Sequence, residues 1–206
     1  QKIKMAQRVM QANVKRSRAA MDLLYANAIK SGAAIIAVSE PNKAALKNVR
    51  WMRDARQDAA LLILPKGPPV INNGAGDGYV WLETTAFVIY SCYISPNVDI
   101  HIFRTFMTNL QRDVRRHRKE VIITGDFNSH SIIWGSAETD ERGDIVMDWI
   151  AVESLVLQND GVLPTFIRGD TESFLDLTIS SEAISRKITN WEVLADKVTL
   201  SDHEWI

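Results

Sequence analysis

The sequence predicts an α/β fold in which two mixed β-sheets pack face to face as a sandwich, with helices on the outside. Three observations lead to this prediction. Short apolar, β-branched runs outnumber helical segments, and helices separate only some of these runs. Alternating residues between 79 and 94 predict a hairpin, and the last third of the 206-residue chain is poor in helix. The last two features argue against a doubly wound parallel sheet.

Up to residue 95, apolar runs and chain breakers predict five strands and one helix. Ser17 as an N-cap and Gly32 after the last turn bound a helix from 18 to 30. Proline and glycine between 65 and 69 stop the third strand. Two alternating runs joined by a short turn form the hairpin. The predicted strands are 8–12, 33–39, 58–64, 79–83 and 85–94.

Beyond residue 95, the pattern predicts two further helices and five strands. Pro96-Asn97 is expected to open a helix that runs to about His117. A second helix, from 140 to 154, would bury some of its apolar residues. Its candidate buried positions are Ile145, Met147, Trp149 and Ile150. The predicted strands are 121–128 and four short ones around Val156, Phe166, Leu177 and Trp191.

Length and composition suit a single soluble-type domain spanning residues 1–206. No apolar run approaches the roughly 18 residues that span a bilayer, so no membrane partner is expected. The first residue is not Met and no signal-like apolar region follows it, which indicates a piece cut from a longer polypeptide. Cys92 is the only cysteine, so no internal disulfide forms, and a buried apolar role in a strand is favoured.

The net charge of −1 does not indicate a nucleic-acid-binding protein, but the basic residues are clustered in the sequence. One cluster, Lys15, Arg16 and Arg18, lies beside a candidate site residue, Asn13. A second cluster lies between 43 and 56. A third, between 112 and 119, crowds a helix end, where cations complement the helix dipole.

The most informative motif is Gly125-Asp126-Phe127-Asn128, which directly follows the apolar run Val121-Ile122-Ile123. The run predicts a buried strand that delivers a carboxylate and an amide at its C-terminal end. Because side chains alternate along a strand, Asp126 and Asn128 are expected on the same face, with Phe127 facing away.

Polar residues recur at the ends of other apolar strands, within one strand at Asp176, and at the chain terminus as Asp202-His203. Each of them alone is a weak signal, because an acid after a strand is usually solvated and a lone histidine is more often structural. Together they are expected to converge on one rim of the sandwich. These residues are Asn13, Glu40, Tyr93, Asp126, Asn128, Asp176, Asp202 and His203.

In this order, these motifs resemble the endonuclease/exonuclease/phosphatase superfamily, which includes DNase I and the AP endonucleases. The resemblance covers essentially the whole chain and implies the DNase I-like four-layer fold. The motif Gly-Asp-Phe-Asn alone is moderately specific for this superfamily. Together with a C-terminal Ser-Asp-His, it is a strong indication of the superfamily. The matching segments are Asn13, Glu40, Tyr93-Ile94-Ser95-Pro96, Gly125–Asn128, Thr165-Phe166, Ser173-x-x-Asp176 and Ser201-Asp202-His203.

A second set of motifs resembles the endonuclease domain of insect non-LTR retrotransposons, of the TRAS and ribosomal-DNA-inserting kind. It consists of Trp134-Gly135-Ser136, Asp140-x-Arg142-Gly143 and Val162–Phe166. For Trp134 and Arg142, packing of the loop on the following helix is an equally good explanation of their presence.

The resemblance implies a phosphodiesterase that depends on Mg²⁺ or Mn²⁺. Glu40 would be the main metal ligand, with Asn13 and Asp202 orienting the metal shell. Asp126 would orient and deprotonate the attacking water, and Asn128 would hold Asp126 or a phosphoryl oxygen. His203 would contact the phosphate, with its tautomer fixed by Asp176. The expected hydroxyl contacts to phosphate are Tyr93, Thr165 and Ser173.

Recognition of double-stranded DNA is expected at a hairpin tip between 167 and 172. Arg168 is the one residue there able to make a bidentate contact, and Lys15, Arg16 and Arg18 are candidate phosphate contacts. Many superfamily members have a basic residue after the serine of Ser-x-x-Asp, whereas this chain has Phe174. Packing in the sheet or stacking on a base would each suit Phe174.

These expectations describe a DNA endonuclease that nicks target DNA and leaves a 3′-hydroxyl to prime reverse transcription. Its partner would be a reverse transcriptase in the same polyprotein, and its place of action the nucleus. Alternative functions are an abasic-site repair endonuclease and a phosphatase on a small phosphoester. A domain that only binds DNA is disfavoured, because candidates for the ligand, the base and the Asp-His pair are all present.

Overall fold

A computed structural model describes residues 7–47 and 50–206 of the chain. Two mixed sheets pack face to face with helices on their outer faces, which confirms the predicted fold class. No helix in these two ranges is long and apolar enough to cross a membrane. The helices are α1 (Arg18–Ser31), α2 (Ile100–Val114), α3 (Glu141–Val152) and the short α4 (Glu182–Ser185).

The smaller sheet has four strands and lies beneath α1. Its strands are β1 (Val9–Asn13), β2 (Ile35–Ser39), β3 (Met52–Arg53) and β4 (Ala59–Ile63). They are ordered β1-β2-β4-β3, with β1 and β2 parallel and the other pairs antiparallel. Because β1 and β2 are parallel, their carboxyl ends lie side by side at one edge of the sheet.

The larger sheet has six strands and packs against α2 and α3. Its strands are β5 (Val70–Gly76), β6 (Tyr79–Thr84), β7 (Val88–Tyr93), β8 (Val121–Asp126), β9 (Leu155–Leu157) and β12 (Asp176–Ser181). Between β9 and β12 in the chain, β10 (Phe166–Arg168) and β11 (Thr171–Ser173) form a separate two-stranded hairpin. The order is β5-β6-β7-β8-β12-β9, and within it only β7 and β8 are parallel.

Alternation along the central strands creates the layers of the fold. In β2, Ile35 and Ala37 face the larger sheet, whereas Ile36 and Val38 join the apolar cluster beneath α1. All four side chains are buried. A strand with apolar residues on both faces has to be covered on both faces. The sequence Ile-Ile-Ala-Val therefore fits only an inner position between a helix layer and a second sheet.

Local capping explains where the helices begin and end. The Ser17 hydroxyl accepts a hydrogen bond from the Ala20 amide, and Gly32 closes α1 in the left-handed conformation, as predicted. The Asp140 carboxylate caps α3 by accepting from the Gly143 amide. On α3, Trp149 is buried, while the other three predicted positions are only half-buried.

The structure corrects several predicted elements. Helix α2 begins at Ile100 instead of Pro96-Asn97, because the Asp99 carboxylate accepts from the first amides of the helix. No strand forms around Trp191. Strand β5 was not predicted; it is a largely exposed edge strand whose Asn and Gly content does not resemble a buried run. The two-residue β3 and the hairpin strand β11 were not predicted as strands either.

Polar side chains join the two sheets at one end of the sandwich. The Ser39 hydroxyl, at the end of β2, donates to the Cys92 carbonyl at 2.8 Å and accepts from the Asp126 amide at 3.2 Å. Farther along, the Gln11 side chain donates to the Leu177 carbonyl at 3.1 Å. These buried bonds fix the strand ends of both sheets relative to one another. The candidate site lies at this end.

Candidate active site

Strand pairing places the predicted polar residues at one rim. The parallel pair β1 and β2 aligns Asn13 with Ser39, the residue before Glu40. The parallel pair β7 and β8 aligns Tyr93 with Asp126, and antiparallel β12 starts with Asp176 opposite Asp126. The carboxyl ends of four strands and the start of a fifth therefore meet, as the sequence predicted.

The C-terminal segment carries His203 to this rim. Ile206 exchanges two backbone hydrogen bonds with Gln11 of β1, and the Ser201 hydroxyl donates to the Asn13 carbonyl. On its other side, His203 forms an isolated bridge with Phe166 of β10. The segment thus lies between the smaller sheet and the β10–β11 hairpin, and its histidine is almost fully buried.

His203 lies between two carboxylates. Its Nδ1 is 2.7 Å from Asp176 Oδ2, a hydrogen bond, and its Nε2 is 3.9 Å from Asp126 Oδ2, beyond hydrogen-bond length. Burial alone would lower the pKa of the His203 imidazole. The charge and hydrogen bond of Asp176, with the charges of Asp126 and Glu40, outweigh burial and raise that pKa to about 9. The imidazole is therefore held as a cation, with Nε2 free to donate.

The side-chain amide of Asn13 joins two further carboxylates. Its nitrogen donates to Asp126 Oδ2 at 2.8 Å and to Glu40 Oε2 at 3.1 Å, while its oxygen accepts from the Lys15 amide. Beside them, burial raises the pKa of the Tyr93 hydroxyl, and the charge of Glu40 adds to the rise. Tyr93 is therefore a neutral hydrogen-bond donor. Asn13 orients the carboxylates, and its own oxygen is already occupied.

Asp126 is fully buried, and burial together with the charge of Asp176 raises its pKa to about 7. The prediction that Asn128 shares its face is wrong, because β8 ends at Asp126 and Asn128 adopts a left-handed φ of 45°. Its backbone amide donates to Asp126 Oδ1 at 3.0 Å, and its side-chain nitrogen donates to the Ile94 carbonyl. Asn128 thus holds Asp126 through its backbone.

These residues line a cleft of about 260 Å³. Its walls are Lys15, Glu40, Tyr93, Ser95, Pro96, Asn97, Asp126, Asn128, Phe166, Arg168, Leu175 and His203. A larger groove of about 370 Å³, between α2 and α3, contains none of the predicted site residues. We assign the chemistry to the smaller cleft because the buried carboxylates and the charged histidine face it. Five of these residues were not predicted as cleft residues: Ser95, Pro96, Phe166 and Leu175, which lie inside matched motifs, and Asn97, which follows one.

Three carboxylates come together around His203 at the cleft. Across the described ranges, one group brings three ligand atoms within 4.8 Å of one another, and it consists of Asp126, Asp176 and His203. Because His203 Nδ1 is already bonded to Asp176, we regard that pair as an ion pair and not as a ligand set. Counting Glu40, three carboxylates face one imidazole, and buried Asp176 Oδ1 has no hydrogen-bond partner. This oxygen-rich donor set suits a divalent cation such as Mg²⁺.

Asp202 lies in an ion-pair cluster at the rim. Its carboxylate bonds the Lys15 ammonium and is 3.9 Å from the Arg168 guanidinium. The hydrogen bond from Lys15 lowers the pKa of the Asp202 carboxyl. In this structure the Asp202 carboxylate is engaged by two cations, both of which line the cleft. The predicted hairpin is confirmed, but its tip is only Gly169-Asp170, because 167–168 and 171–172 pair as strands. Arg168 is largely exposed beside this tip.

Two predicted hydroxyl contacts to phosphate do not match the structure. Thr165 is completely buried, and its hydroxyl oxygen accepts from the amides of Leu175 and Asp176 at 2.9 and 3.0 Å. It therefore holds the start of β12, which carries the partner of His203. Ser173 pairs with Phe166 across the hairpin and does not line the cleft. Phe174 packs against the apolar core under α2 and α3. Packing, and not stacking on a base, therefore accounts for this aromatic residue.

All three basic residues after Asn13 form ion pairs within the protein, Lys15 with Asp202. The Arg16 guanidinium pairs with Asp58, and Arg18 pairs with Asp22 one turn along α1. Neither Arg16 nor Arg18 lines the cleft. Of the three predicted phosphate contacts, Lys15 is therefore the one that lies at the cleft wall. The third cluster, at the end of α2, is likewise largely neutralised; Arg115, for example, pairs with Glu153.

The fold and the site define a class of protein. Two mixed sheets packed face to face, with helices on their outer faces, are the fold of the DNase I-like, AP endonuclease-like nucleases. An AP endonuclease from Archaeoglobus fulgidus shares the fold, with a TM-score of 0.76 at 11% identity over 97% of each chain.

The family follows from the sequence model that matches residues 87–206. That model is described as endonuclease-reverse transcriptase, and the chain belongs to this family. The chain is also similar to the endonuclease domain of TRAS1, a telomere-specific non-LTR retrotransposon. Identity to it is 30%, with 97% of this chain and 96% of that chain covered and a TM-score of 0.82. No curated protein matches in sequence. Family and fold together support a DNA endonuclease, and hence a nuclease hydrolase.

Proposed function

We propose that the chain is a metal-dependent endonuclease that nicks double-stranded target DNA and leaves a 3′-hydroxyl that primes reverse transcription. The observation that carries this proposal is the buried array Asp126–His203–Asp176 at the wall of a cleft that Glu40 also lines. The family description and the resemblance to the TRAS1 domain support the retrotransposon context. In that context a reverse transcriptase is the partner in the same polyprotein, and the nucleus is the place of action.

The protein groups supply orientation and charge. Asp126 is held on both oxygens, by Asn13 and by the Asn128 amide, so it can orient a water and accept its proton. The water oxygen bonds to phosphorus as its proton passes to Asp126, the P–O3′ bond breaks, and O3′ takes a proton from solvent water to become the 3′-hydroxyl. The His203 cation and the neutral Tyr93 hydroxyl donate to phosphoryl oxygens as their charge grows.

A divalent cation would be held by Glu40, with Asp126 and Asp176 close by. When bound, it supplies a Lewis acid that neutralises charge on the phosphate. The three carboxylates gathered around His203, together with the partnerless Asp176 oxygen, support this requirement.

The test is nicking of supercoiled plasmid with Mg²⁺ or Mn²⁺ and with chelator. Asp126→Ala and His203→Ala are each expected to lower the nicking rate by about two to four orders of magnitude while the protein stays folded. The matched controls are Asp148→Ala and His101→Ala, which change exposed residues on α3 and α2. Near-wild-type nicking by either site variant, or full activity in chelator, would contradict the proposal.

The product and the substrate distinguish the alternatives. A DNA polymerase should extend the nick directly, because only a 3′-hydroxyl primes synthesis. An abasic-site repair endonuclease would instead prefer an abasic duplex to an intact one. A phosphatase would hydrolyse p-nitrophenyl phosphate faster than plasmid. Mapping of the cut positions then tests whether this domain selects its target sequence.

A further inference from the structure

Three cleft residues have a left-handed backbone conformation: Lys15, with a φ of 46°, and two further residues that carry the argument, Glu40 and Asn128. Glu40 has a φ of 47° and Asn128 a φ of 45°, in the left-handed region that residues other than glycine rarely adopt. Such conformations persist where the surrounding structure holds them in place. Glu40 and Asn128 are each contacted by an arginine that does not line the cleft, Arg16 for Glu40 and Arg142 for Asn128.

Arg142 lies outside the cleft and contacts the wall formed by Asn128 and residues 95–97. Its guanidinium donates to the Asn128 carbonyl at 3.4 Å and to a second loop at three carbonyls, and it lies 4.9 Å above the ring of Phe103. The three carbonyls belong to Ser95 at 3.1 Å, Pro96 at 3.2 Å and Val98 at 2.5 Å. One planar group with several N–H donors thus joins the loop after β7 to the loop after β8.

Two sequence neighbours of Arg142, Asp140 and Gly143, contact the same loop after β8. Asp140 accepts from the His130 amide in addition to capping α3. A Cβ at Gly143 would lie 1.8 Å from the His130 carbonyl oxygen, so only glycine fits there. Asp140-x-Arg142-Gly143 is therefore a set of contacts that fixes residues 128–130. Trp134 is completely buried and donates to the Ser129 carbonyl, which assigns it to packing.

Arg16 holds the opposite wall. Its backbone amide donates to the Glu40 carbonyl at 2.8 Å, and its guanidinium donates to the Gln57 carbonyl at 2.5 Å and the Pro41 carbonyl at 3.4 Å. The guanidinium also pairs with Asp58 and approaches Glu40 Oε1 to 3.9 Å. The turn that presents the Glu40 carboxylate is therefore built around Arg16.

We propose that Arg142 and Arg16 are positioning residues, Arg142 for Asn128 and the loop at 95–98, and Arg16 for the Glu40 carboxylate. The proposal rests on the endonuclease function above and assigns each arginine a different effect. Arg142 acts on turnover, through the cleft wall that orients Asp126. Arg16 acts on affinity for a divalent cation, through Glu40, and contacts no DNA phosphate.

The variants are Arg142→Gln, Arg142→Lys, Arg16→Gln and Arg16→Lys, with Arg112→Gln as control for loss of an exposed arginine. Lysine keeps the charge but cannot bond several carbonyls at once. Arg142→Gln is expected to lower kcat roughly 10- to 100-fold with little change in KM for DNA, since small displacements near reacting groups have large effects. Arg142→Lys is expected to recover only part of this loss.

Direct measurements separate the two arginines from each other and from a general loss of structure. Arg16→Gln is expected to weaken Mn²⁺ binding, measured by electron paramagnetic resonance without DNA, by roughly 10-fold or more. The slope of DNA affinity against salt should not change. In hydrogen exchange, Arg142→Gln should speed exchange at residues 94–98 and 127–130 only. If either Gln variant does not fold, the Lys variant is scored on the same measurements.

Each contrary outcome is distinct. A salt slope reduced by about 1 in Arg16→Gln would make Arg16 a phosphate contact and overturn its assignment. Faster exchange across the whole chain, or unchanged kcat, in the Arg142 variants would overturn the assignment of Arg142. Failure of the proposed function looks different, because the wild-type protein then does not nick DNA. Mn²⁺ binding and local exchange would still decide the roles of the two arginines.

Discussion

The pKa of His203 offers the sharpest test of the site, because two measurable groups should respond in the same direction to a single substitution. Asp176→Asn removes the charge that does most to raise the pKa of His203, while the burial that lowers it remains. It also removes the charge of Asp176, which adds to burial in raising the pKa of Asp126. We therefore expect the pKa of both groups to fall, with His203 returning to its ordinary value of 6.5 or below.

The magnitude follows from the raised value. The difference between 6.5 and about 9 corresponds to about 3 kcal/mol of preference for the charged imidazole. Because this pKa is raised on folding, its contribution to stability is fully present below pH 6.5 and is lost as pH rises through 9. Asp176→Asn should remove most of this pH-dependent contribution, which urea unfolding at pH values below and above that window measures.

The assay is an NMR titration of the four histidine side chains, with His203 assigned by its loss in His203→Gln. Asp148→Asn, on the surface of α3, is the control and should leave the titration unchanged. A His203 pKa in Asp176→Asn equal to or above that of the wild-type protein would refute the reasoning. It would mean that Asp176 does not stabilise the imidazolium, and the array could not act as described.

Three further predictions concern activity, stability and DNA recognition. The nicking rate should rise with pH as Asp126 loses its proton near 7 and fall as His203 loses its proton near 9, with a bound cation moving the lower limb to lower pH. Gly125→Ala should lower the free energy of unfolding in urea by at least about 2 kcal/mol, because φ is 147° and a Cβ would lie 2.1 Å from the Cys92 carbonyl oxygen. Arg168→Ala should reduce the salt slope of DNA binding by about 1 and broaden the pattern of cut positions.

Controls are available within the chain for these variants. Gly169, at the hairpin tip, also has a left-handed φ, but a Cβ there meets nothing within 4 Å. Gly169→Ala should therefore cost much less stability than Gly125→Ala, and equal losses would contradict the steric explanation. Arg112→Ala serves as the control for Arg168→Ala, and an equal change in salt slope would show that the effect is only one of net charge.

Much of the site could be predicted because it is built from strand ends. Apolar runs mark the inner strands, and a polar residue directly after such a run lies at the rim that the runs share. Asn13, Glu40, Tyr93 and Asp126 were located in this way, and the structure brings them together. His203 was in the same set of polar residues, but its role depended on a resemblance, because the segment that carries it is not a strand.

The roles of individual side chains could not be predicted in the same way. The pattern of alternation placed Asn128 on the face of Asp126, but a left-handed residue directly after a strand turns the chain away. Thr165 and Arg16 were expected to contact phosphate, yet each is used to hold the backbone beside another site residue. Polar residue types next to a site do not reveal whether they face the substrate or the protein.

The layers of this protein, and the rim at which its polar residues meet, could be predicted from the sequence alone. The reason is that a strand with apolar residues on both faces has to be buried on both faces. The tertiary structure alone decided which polar groups are bonded to one another. Asn13 and Asp126, or Arg142 and Ser95, are far apart in the chain, and their contacts exist only once both sheets and α3 are packed. The charge of His203 depends on such contacts, since burial and its carboxylate neighbours act on it in opposite directions.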